Sequence, residues 1–497
     1  MTQRLLFIPL EAAQIERNFC DIEPALSRAE AKVEADRYLY CYDAPCTRAC
    51  PTHIDVPSFI KKIASDNLTG SARVIFDANP IGAICARVCP TEALCEGACV
   101  ENTLLHKPIE IGRLQRYATD YAMQTGRSVF VAGEPNGKSV AVIGAGPAGY
   151  SCAVYLKRLG YAVTVYDRRE LAGGLDTYAM AEYKMTQKVS VEEADMARKI
   201  GVEFELGTEI SPEILTRLER DNDAVFLAVG LGRTTQLNVP NENAPGVYDA
   251  LQWIERVKTR DWAGVPLGKT VAVIGAGNTA VDAATQAKRL GAERVVMIYR
   301  RGEKEMPAYP YEYELAKSDP VEFRWKSAPV GLVTEASGRV CAVRCIETEP
   351  KALDERGRAS YGMVEESEFE IPCDIVIKAL GQSKMTSFLS TVEGIELDSS
   401  GRVRVNAQTM ATGNPKFFVG GDCVNGGREA VDAAQMGKLG AMGIHAHLTG
   451  EQVEFAGAHL PFIEKLPHEI AIASRADTAH PQQSASELGV KSYVATG

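Results

Sequence analysis

Twice in this chain a run of small aliphatic residues ends in Gly-Ala-Gly, and no other feature of the sequence restricts the fold as strongly. The first run, Val140-Ala141-Val142-Ile143, leads into Gly144-Ala145-Gly146-Pro147-Ala148-Gly149. The second, Val271-Ala272-Val273-Ile274, leads into Gly275-Ala276-Gly277-Asn278-Thr279-Ala280. Such runs read as buried strands of a parallel sheet. The segments behind them match too: Tyr155-Leu156-Lys157-Arg158-Leu159-Gly160 in one copy and Gln286-Ala287-Lys288-Arg289-Leu290-Gly291 in the other. The chain therefore repeats one βαβ unit. In each, the first glycine permits a tight turn and the second lets the backbone approach a pyrophosphate. The third small residue allows close helix–sheet packing, and the helix N-terminus faces the negative charge. These are two dinucleotide cradles.

The copies differ at the end of their next strand. In the first, Val163-Thr164-Val165-Tyr166 ends at Asp167, an acid placed to accept from ribose hydroxyls. In the second, Val295-Val296-Met297-Ile298-Tyr299 ends in Arg300-Arg301. Guanidinium forks suit a ribose 2′-phosphate, and each charge-assisted bond contributes roughly 1.5–3 kcal/mol. The second cradle is thus expected to prefer NADPH over NADH, by about tenfold to a few hundredfold. Near the C-terminus, Phe417-Phe418-Val419-Gly420-Gly421-Asp422 precedes a helical stretch, Glu429-Ala430-Val431-Asp432-Ala433-Ala434. This resembles the element that closes the FAD site in flavoproteins with two dinucleotide-binding domains. The resemblance puts Asp422 on the ribityl chain and the helix N-terminus at Ala430 and Val431 under the flavin pyrimidine ring. Gly174 and Leu175 join the same cofactor site. Ala228-Val229-Gly230 and Ala379-Leu380-Gly381 resemble the turns where such chains cross between domains. The first cradle then holds FAD, and the NADP domain is inserted into the FAD domain.

The N-terminal part has a different texture. Of 13 cysteines, seven lie between Cys41 and Cys99. The rest of the composition is that of an ordinary globular protein, with 45% hydrophobic and 24% charged residues. In a large enzyme, clustered cysteines indicate metal or redox work rather than disulfides. The pattern is Cys41-x4-Cys46-x3-Cys50-Pro51, then Cys85-x3-Cys89-Pro90-x4-Cys95-x3-Cys99. Zinc sites usually use Cys-x-x-Cys pairs, and none occurs in the chain, which also removes a thioredoxin-reductase-type dithiol. Cys-Pro closing a cysteine run is typical of [4Fe–4S] ligation. The scattered Cys152, Cys341, Cys345, Cys373 and Cys423 read as buried small hydrophobes. Helical spacing of apolar residues appears at 58–63 and 109–123.

Cys41-Tyr42-Asp43-Ala44-Pro45-Cys46-Thr47-Arg48-Ala49-Cys50-Pro51, Cys89-Pro90-Thr91-Glu92-Ala93-Leu94-Cys95 and Ile111-Gly112-Arg113-Leu114-Gln115 resemble the N-terminal half of dihydropyrimidine dehydrogenases. The bacterial NAD(P)H-oxidising subunit of that family is the nearest match in pattern, and the glutamate synthase small subunit shares the architecture. The resemblance implies two [4Fe–4S] clusters. One takes Cys50, Cys89, Cys95 and the amide oxygen of Gln115, a neutral ligand that should raise that cluster's potential. The other takes Cys41, Cys46, Cys99 and a cysteine three residues before Cys41, where this chain has Tyr38. Several readings stay open there: Tyr38 ligates as phenolate, Tyr38 only packs while Cys85 or Cys20 substitutes, or the cluster is three-iron or absent.

The expected architecture is α/β. A helical iron–sulfur domain (1–135) precedes the FAD domain (136–255 and 377–450), which encloses an NAD(P) domain (256–376) and is followed by a tail (451–497). The resemblance implies an oxidoreductase that passes electrons from NADPH through FAD and the clusters to an FMN-containing catalytic subunit reducing uracil or thymine. The alternatives are the small subunit of glutamate synthase and a non-catalytic redox-sensing nucleotide-binding protein. A net charge of −11 argues against nucleic acid or anionic membrane as the main partner. No apolar run nears a membrane span, and the opening segment is too short for a signal-peptide core, so a cytoplasmic address is expected. The tail, with Pro481-Gln482-Gln483-Ser484, is expected to be extended and to dock on the partner. For the cofactor preference, Arg300→Glu should narrow or reverse the NADPH:NADH ratio of kcat/KM. An unaltered ratio would place the 2′-phosphate elsewhere.

Overall fold

The structure, a computed structural model, describes residues 10–353 and 359–455. The expected tail beyond residue 455 lies outside the described residues. The N-terminal part is helical, and its helices begin where short polar side chains can satisfy exposed N–H groups. Ser27 caps helix Arg28–Asp36 through a reciprocal box with Glu30. Asp55 accepts from the Ser58 N–H at the start of Val56–Ala64, and Asn67 from Gly70 at the start of Leu68–Ala78. Helices Gly82–Val88 and Ile111–Gln124 complete the layer that carries the cysteines. The two stretches of helical spacing fall inside Val56–Ala64 and, but for two leading residues, Ile111–Gln124.

Two five-stranded parallel sheets follow, and they have the same construction. The first runs Phe417–Val419, Ala224–Leu227, Ser139–Ile143, Ala162–Tyr166, Glu203–Glu205. The second runs Val247–Asp249, Ile375–Lys378, Thr270–Ile274, Arg294–Ile298, Glu322–Arg324. Each glycine loop leaves a central strand and opens a helix, Pro147–Arg158 in one unit and Asn278–Leu290 in the other. In the first sheet the edge strand Phe417–Val419 comes from beyond the whole second sheet, so the second domain is inserted in the first. The insertion starts earlier than 256: Val247–Asp249 pairs with Ile375–Lys378, carrying helix Ala250–Lys258 into the second unit. Three residues cannot announce a strand by periodicity, which explains the difference.

A three-stranded antiparallel sheet, Ser327–Thr334, Val340–Leu353 and Ala359–Pro372, was not anticipated. It covers one face of the second parallel sheet, packing Leu332, Val343, Cys345 and Ile371 against Ala272, Val296 and Ile298. Between the domains the two crossover segments pair: Gly232 donates to Ser383, Ser383 to Arg233 and Thr235 to Gly381. The iron–sulfur layer keeps a core of its own around Phe59, Ile60 and Leu114 and also shares one with the FAD domain. Phe76, Ile81, Ile84 and Leu94 belong to the same cluster as Val140, Val142, Phe226 and Ile444 of the FAD domain. Of the scattered cysteines, Cys152, Cys345, Cys373 and Cys423 are buried as expected, whereas Cys341 is half-buried. Among the described residues no helix is long and apolar enough to cross a membrane.

The long helix Ala430–Thr449 lies against Pro147–Arg158 at very short range. A Cβ on Gly437 would come within 2.2 Å of the Ala148 carbonyl oxygen, and one on Gly440 within 2.3 Å of the Phe226 ring. Backbone on one side leaves nothing to yield. Gly437→Ala should therefore separate the helices, cost about 1–3 kcal/mol and weaken flavin retention. Thermal melting and the flavin absorbance retained on gel filtration measure both effects, and an unchanged melting temperature would refute the contact's importance.

Candidate functional site

The cysteines form two groups, divided as the sequence pattern implies. In the outer group, Tyr38, Cys41, Cys46 and Cys99 line one pocket. The Tyr38 hydroxyl lies 3.4 Å from the Cys46 Sγ. Burial, with the neighbouring cysteines adding to it, holds the Tyr38 hydroxyl far above its usual range. Burial likewise pushes the Cys46 thiol up to about 11. Neither proposed substitute for Tyr38 reaches this pocket's lining. Cys20 is exposed and its thiol faces the Glu16 carbonyl. Cys85 is buried and bonded to Cys89, in the other group.

The inner group contains Cys50, Cys89 and Cys95. The Cys89 thiol is raised well above its usual value by its hydrogen bond to Cys85 and by burial, with Cys50 and Cys95 adding repulsion. Burial does the same to Cys95, helped by Glu96, Cys50 and Cys46. Gln115, on helix Ile111–Gln124, is buried, and its Nε2 donates to the Gly82 carbonyl at 2.7 Å. The amide nitrogen is thus committed and only the oxygen is left to ligate. Thiols packed this tightly in a dry interior repel one another as thiolates; bound iron removes that penalty by replacing the protons. The donor set therefore fits iron–sulfur clusters. Among the described residues no group of three His, Cys, Asp or Glu suits a single metal ion. A four-iron body, unlike one ion, spreads its ligands around itself.

The FAD cradle is built from glycines that meet. Gly173 donates its N–H to the Ala145 carbonyl, and a Cβ on Gly174 would lie 2.9 Å from the Gly146 Cα. A Cβ on Gly146 would meet only the Gly174 Cα, at 3.8 Å, and one on Gly230 would face open space. Asp167 holds the loop: its two oxygens accept from the Ala145 and Arg169 N–H groups, each at 2.8 Å. Gly421 approaches the Ala148 Cβ from the other side, and Asp422 accepts from the Arg428 N–H at 3.3 Å. Leu175 is an exposed large apolar side chain at this position. Two buried oxygens on the bordering helices lack hydrogen-bond partners, Asp176 Oδ2 and Gln435 Oε1. A cradle of this kind, with side-chain-free space and unmet polar atoms, fits a dinucleotide.

In the second cradle a Cβ on Gly277 would meet only the Pro307 ring, at 4.0 Å, and one on Gly381 would face open space. Asn278 uses its Oδ1 to accept the Tyr309 N–H at 3.1 Å, while Thr279 follows it in the first turn of the helix. Arg300 is exposed and Arg301 half-buried, and neither guanidinium has an ion-pair partner among the described residues. The Arg300 carbonyl is held by the Thr348 hydroxyl at 2.7 Å, so the antiparallel sheet braces this loop.

Several residues at the junction of these sites escaped the sequence reading. The Tyr309 hydroxyl donates to Glu429 at 2.5 Å, joining the second domain to the first turn of helix Ala430–Thr449. Lys184 lies buried between Asp282, at 2.6 Å, and Glu312. Burial pulls the Lys184 ammonium down, but the two carboxylates outweigh it and hold it well above its usual value. Glu193 accepts from the Ala83 N–H at 2.7 Å, tying the FAD domain to the helix before Cys89. Lys438 sends its ammonium to the Thr52 carbonyl at 3.0 Å. The only available signal was a charge standing alone among small residues, as in Gly437-Lys438-Leu439-Gly440.

Two known families match successive parts of the chain. Residues 15–127 match a family described as dihydropyrimidine dehydrogenase domain II, 4Fe-4S cluster, and residues 138–437 match the pyridine nucleotide-disulphide oxidoreductases. The chain is 36% identical to the NADPH glutamate synthase small chain of Escherichia coli over 88% of its own length and 95% of that protein's. It is 33% identical to the beta subunit of the NADP(+)-dependent formate dehydrogenase of Moorella thermoacetica, over 82% of its length and 60% of that subunit's. In fold it is similar to FprA from Mycobacterium tuberculosis, with a TM-score of 0.50 at 18% identity, over 69% of this chain and 91% of that one.

Asp176 offers a measurement of the FAD cradle's electrostatics. Burial, with Asp422 adding repulsion, lifts its carboxyl to about 7, while Lys258 opposes. Its folded-state pKa is thus above the unfolded value, and the folded chain keeps a proton that the unfolded chain releases. Stability from this group is present below about pH 4 and lost as the pH rises to about 7, by up to ~1.4 kcal/mol per pH unit. Asp176→Asn should raise the melting temperature more at pH 8 than at pH 5, with FAD saturating. Equal shifts at both pH values would contradict the buried-acid assignment.

Proposed function

Because the chain belongs to the pyridine nucleotide-disulphide oxidoreductase family, as an NAD(P)H-dependent FAD and iron–sulfur oxidoreductase, we propose that it is the electron-input subunit of a two-component enzyme. The observation that carries this reading is the apolar cluster that packs Cys50, Cys85 and Cys89 together with the FAD domain, which holds the inner cysteines at fixed positions beside the cradle. FAD, when bound, accepts hydride from NADPH and releases electrons singly to iron–sulfur clusters. The chain's own residues do the holding. Gly144, Gly146, Gly149 and Gly174 admit the FAD pyrophosphate, Asp167 sets the loop for the ribose, and Asp422 meets the ribityl chain. Gly275, Gly277 and Arg300-Arg301 take the NADPH phosphates. Cys50, Cys89, Cys95 and Gln115 hold the inner cluster; Cys41, Cys46, Cys99 and Tyr38 surround the outer one.

The partner we favour is a glutamate-forming large subunit, supported by the near full-length match to the glutamate synthase small chain. A second reading, an FMN subunit reducing uracil or thymine, is favoured by Gln115 and by the match of residues 15–127. The test uses the full chain purified anaerobically. It should contain between about four and eight irons and reduce an artificial acceptor with NADPH while leaving uracil and thymine untouched. Glutamate formation after addition of the large partner would support the first reading, and dihydrouracil formation with an FMN subunit the second. Cys89→Ser should abolish the coupled reaction and largely spare dye reduction. Pyrimidine turnover by the lone chain, or an iron-free chain, would overturn the assignment.

A further inference from the structure

Neither cradle uses the most deeply buried cation next to the cysteines. Lys438 lies in helix Ala430–Thr449 and is 0% exposed. Its Nζ donates to the Thr52 carbonyl at 3.0 Å, across the boundary between the FAD domain and the iron–sulfur layer. Thr52 is equally buried, and its hydroxyl lies 3.4 Å from the Cys50 Sγ. The ammonium therefore meets the turn that carries a ligand of the inner cluster. Aromatic and charged groups surround it. The Tyr155 ring stands 5.8 Å away, Cys50 and Asp77 contribute negative charge, and Arg158 is already paired with Asp77. Burial pulls this ammonium down to about 7, against the opposing pull of Cys50 and Asp77.

We propose that Lys438 sets the reduction potential of the cluster held by Cys50, Cys89, Cys95 and Gln115, keeping it high enough to be the first acceptor of electrons leaving the flavin. The inference rests on the cluster assignment above. An added electron makes a thiolate-ligated cluster more negative, and a fixed cation in a water-free site stabilises that reduced form. The neutral amide of Gln115 acts in the same direction. Position in the fold agrees with this role. Lys438 stands eight residues after Ala430, roughly 12 Å along the same helix from its N-terminus at the FAD cradle. One rigid element thus spans the space from flavin to inner cluster.

Redox titration of the full-length, cluster-loaded protein, followed by electron paramagnetic resonance, tests the role. Lys438→Gln keeps an N–H donor for Thr52 and loses the charge; Lys438→Arg keeps the charge. We expect Lys438→Gln to lower the inner cluster's midpoint by at least a tenfold change in equilibrium constant, ~59 mV for one electron, and Lys438→Arg to stay near wild type. An unchanged midpoint in Lys438→Gln would overturn the proposal. Equal shifts in both variants would assign the effect to packing and overturn it too. Lys438→Met is the second uncharged variant. Loss of iron from both uncharged variants, with retention in Lys438→Arg, would show that the charge serves assembly instead. A wild-type chain without cluster signal would fail the cluster assignment itself and is distinguishable from all of these.

Discussion

At the end of each central strand a glycine presses against the carbonyl of a crossover segment, and the arrangement of both nucleotide domains depends on that contact. A Cβ on Gly144 would lie 2.2 Å from the Ala228 oxygen, and one on Gly275 would lie 2.3 Å from the Ala379 oxygen. Both glycines have positive φ, 106° and 133°, so the chain turns where no side chain could fit. The carbonyls they meet belong to residues that leave one domain for the other. Those departing segments then pair with each other between residues 232 and 383. Turn, cradle and inter-domain link are one mechanical unit, and it occurs twice.

Helix Ala430–Thr449 joins the remaining parts. Its first turn receives Tyr309 from the second domain, its middle lies against Pro147–Arg158 through Gly437, and Lys438 reaches the iron–sulfur layer. Both domain interfaces have an apolar part: the second domain packs Ile15, Phe19, Ala181 and Tyr183 into its own core. The inner part of the cysteine layer shares an apolar core with the FAD domain. The second domain adds polar ties, Lys184 to Asp282 and Glu312 and the Tyr183 hydroxyl to Thr285 at 2.6 Å. Electron transfer between fixed groups needs constant separations, and apolar packing supplies them.

The choice of partner turns on a few positions. Tyr38 stands beside the outer cysteines, 3.4 Å from Cys46, where the dihydropyrimidine dehydrogenase pattern has cysteine. Gln115 keeps that family's amide on the inner side, yet the near full-length relative is a glutamate synthase small chain. The electron-input half is thus shared by enzymes whose output chemistry differs.

Both strand–glycine–helix units, the cysteine-rich helical layer and the inserted-domain order were legible in the sequence. The reason is physical: each needs particular residue types at fixed local spacing, and a strand–turn–helix unit or a Cys-Pro turn carries its own signature. Val247–Asp249 and the antiparallel sheet were not legible, because short or charged strands are specified by the surface that receives them. Only the tertiary structure brought Lys438 to Thr52, Glu193 to Ala83 and Tyr309 to Glu429, pairs separated by 386, 110 and 120 residues. A local sequence window records the residue but not its distant partner, and the energetics of a buried charge are decided entirely by that partner.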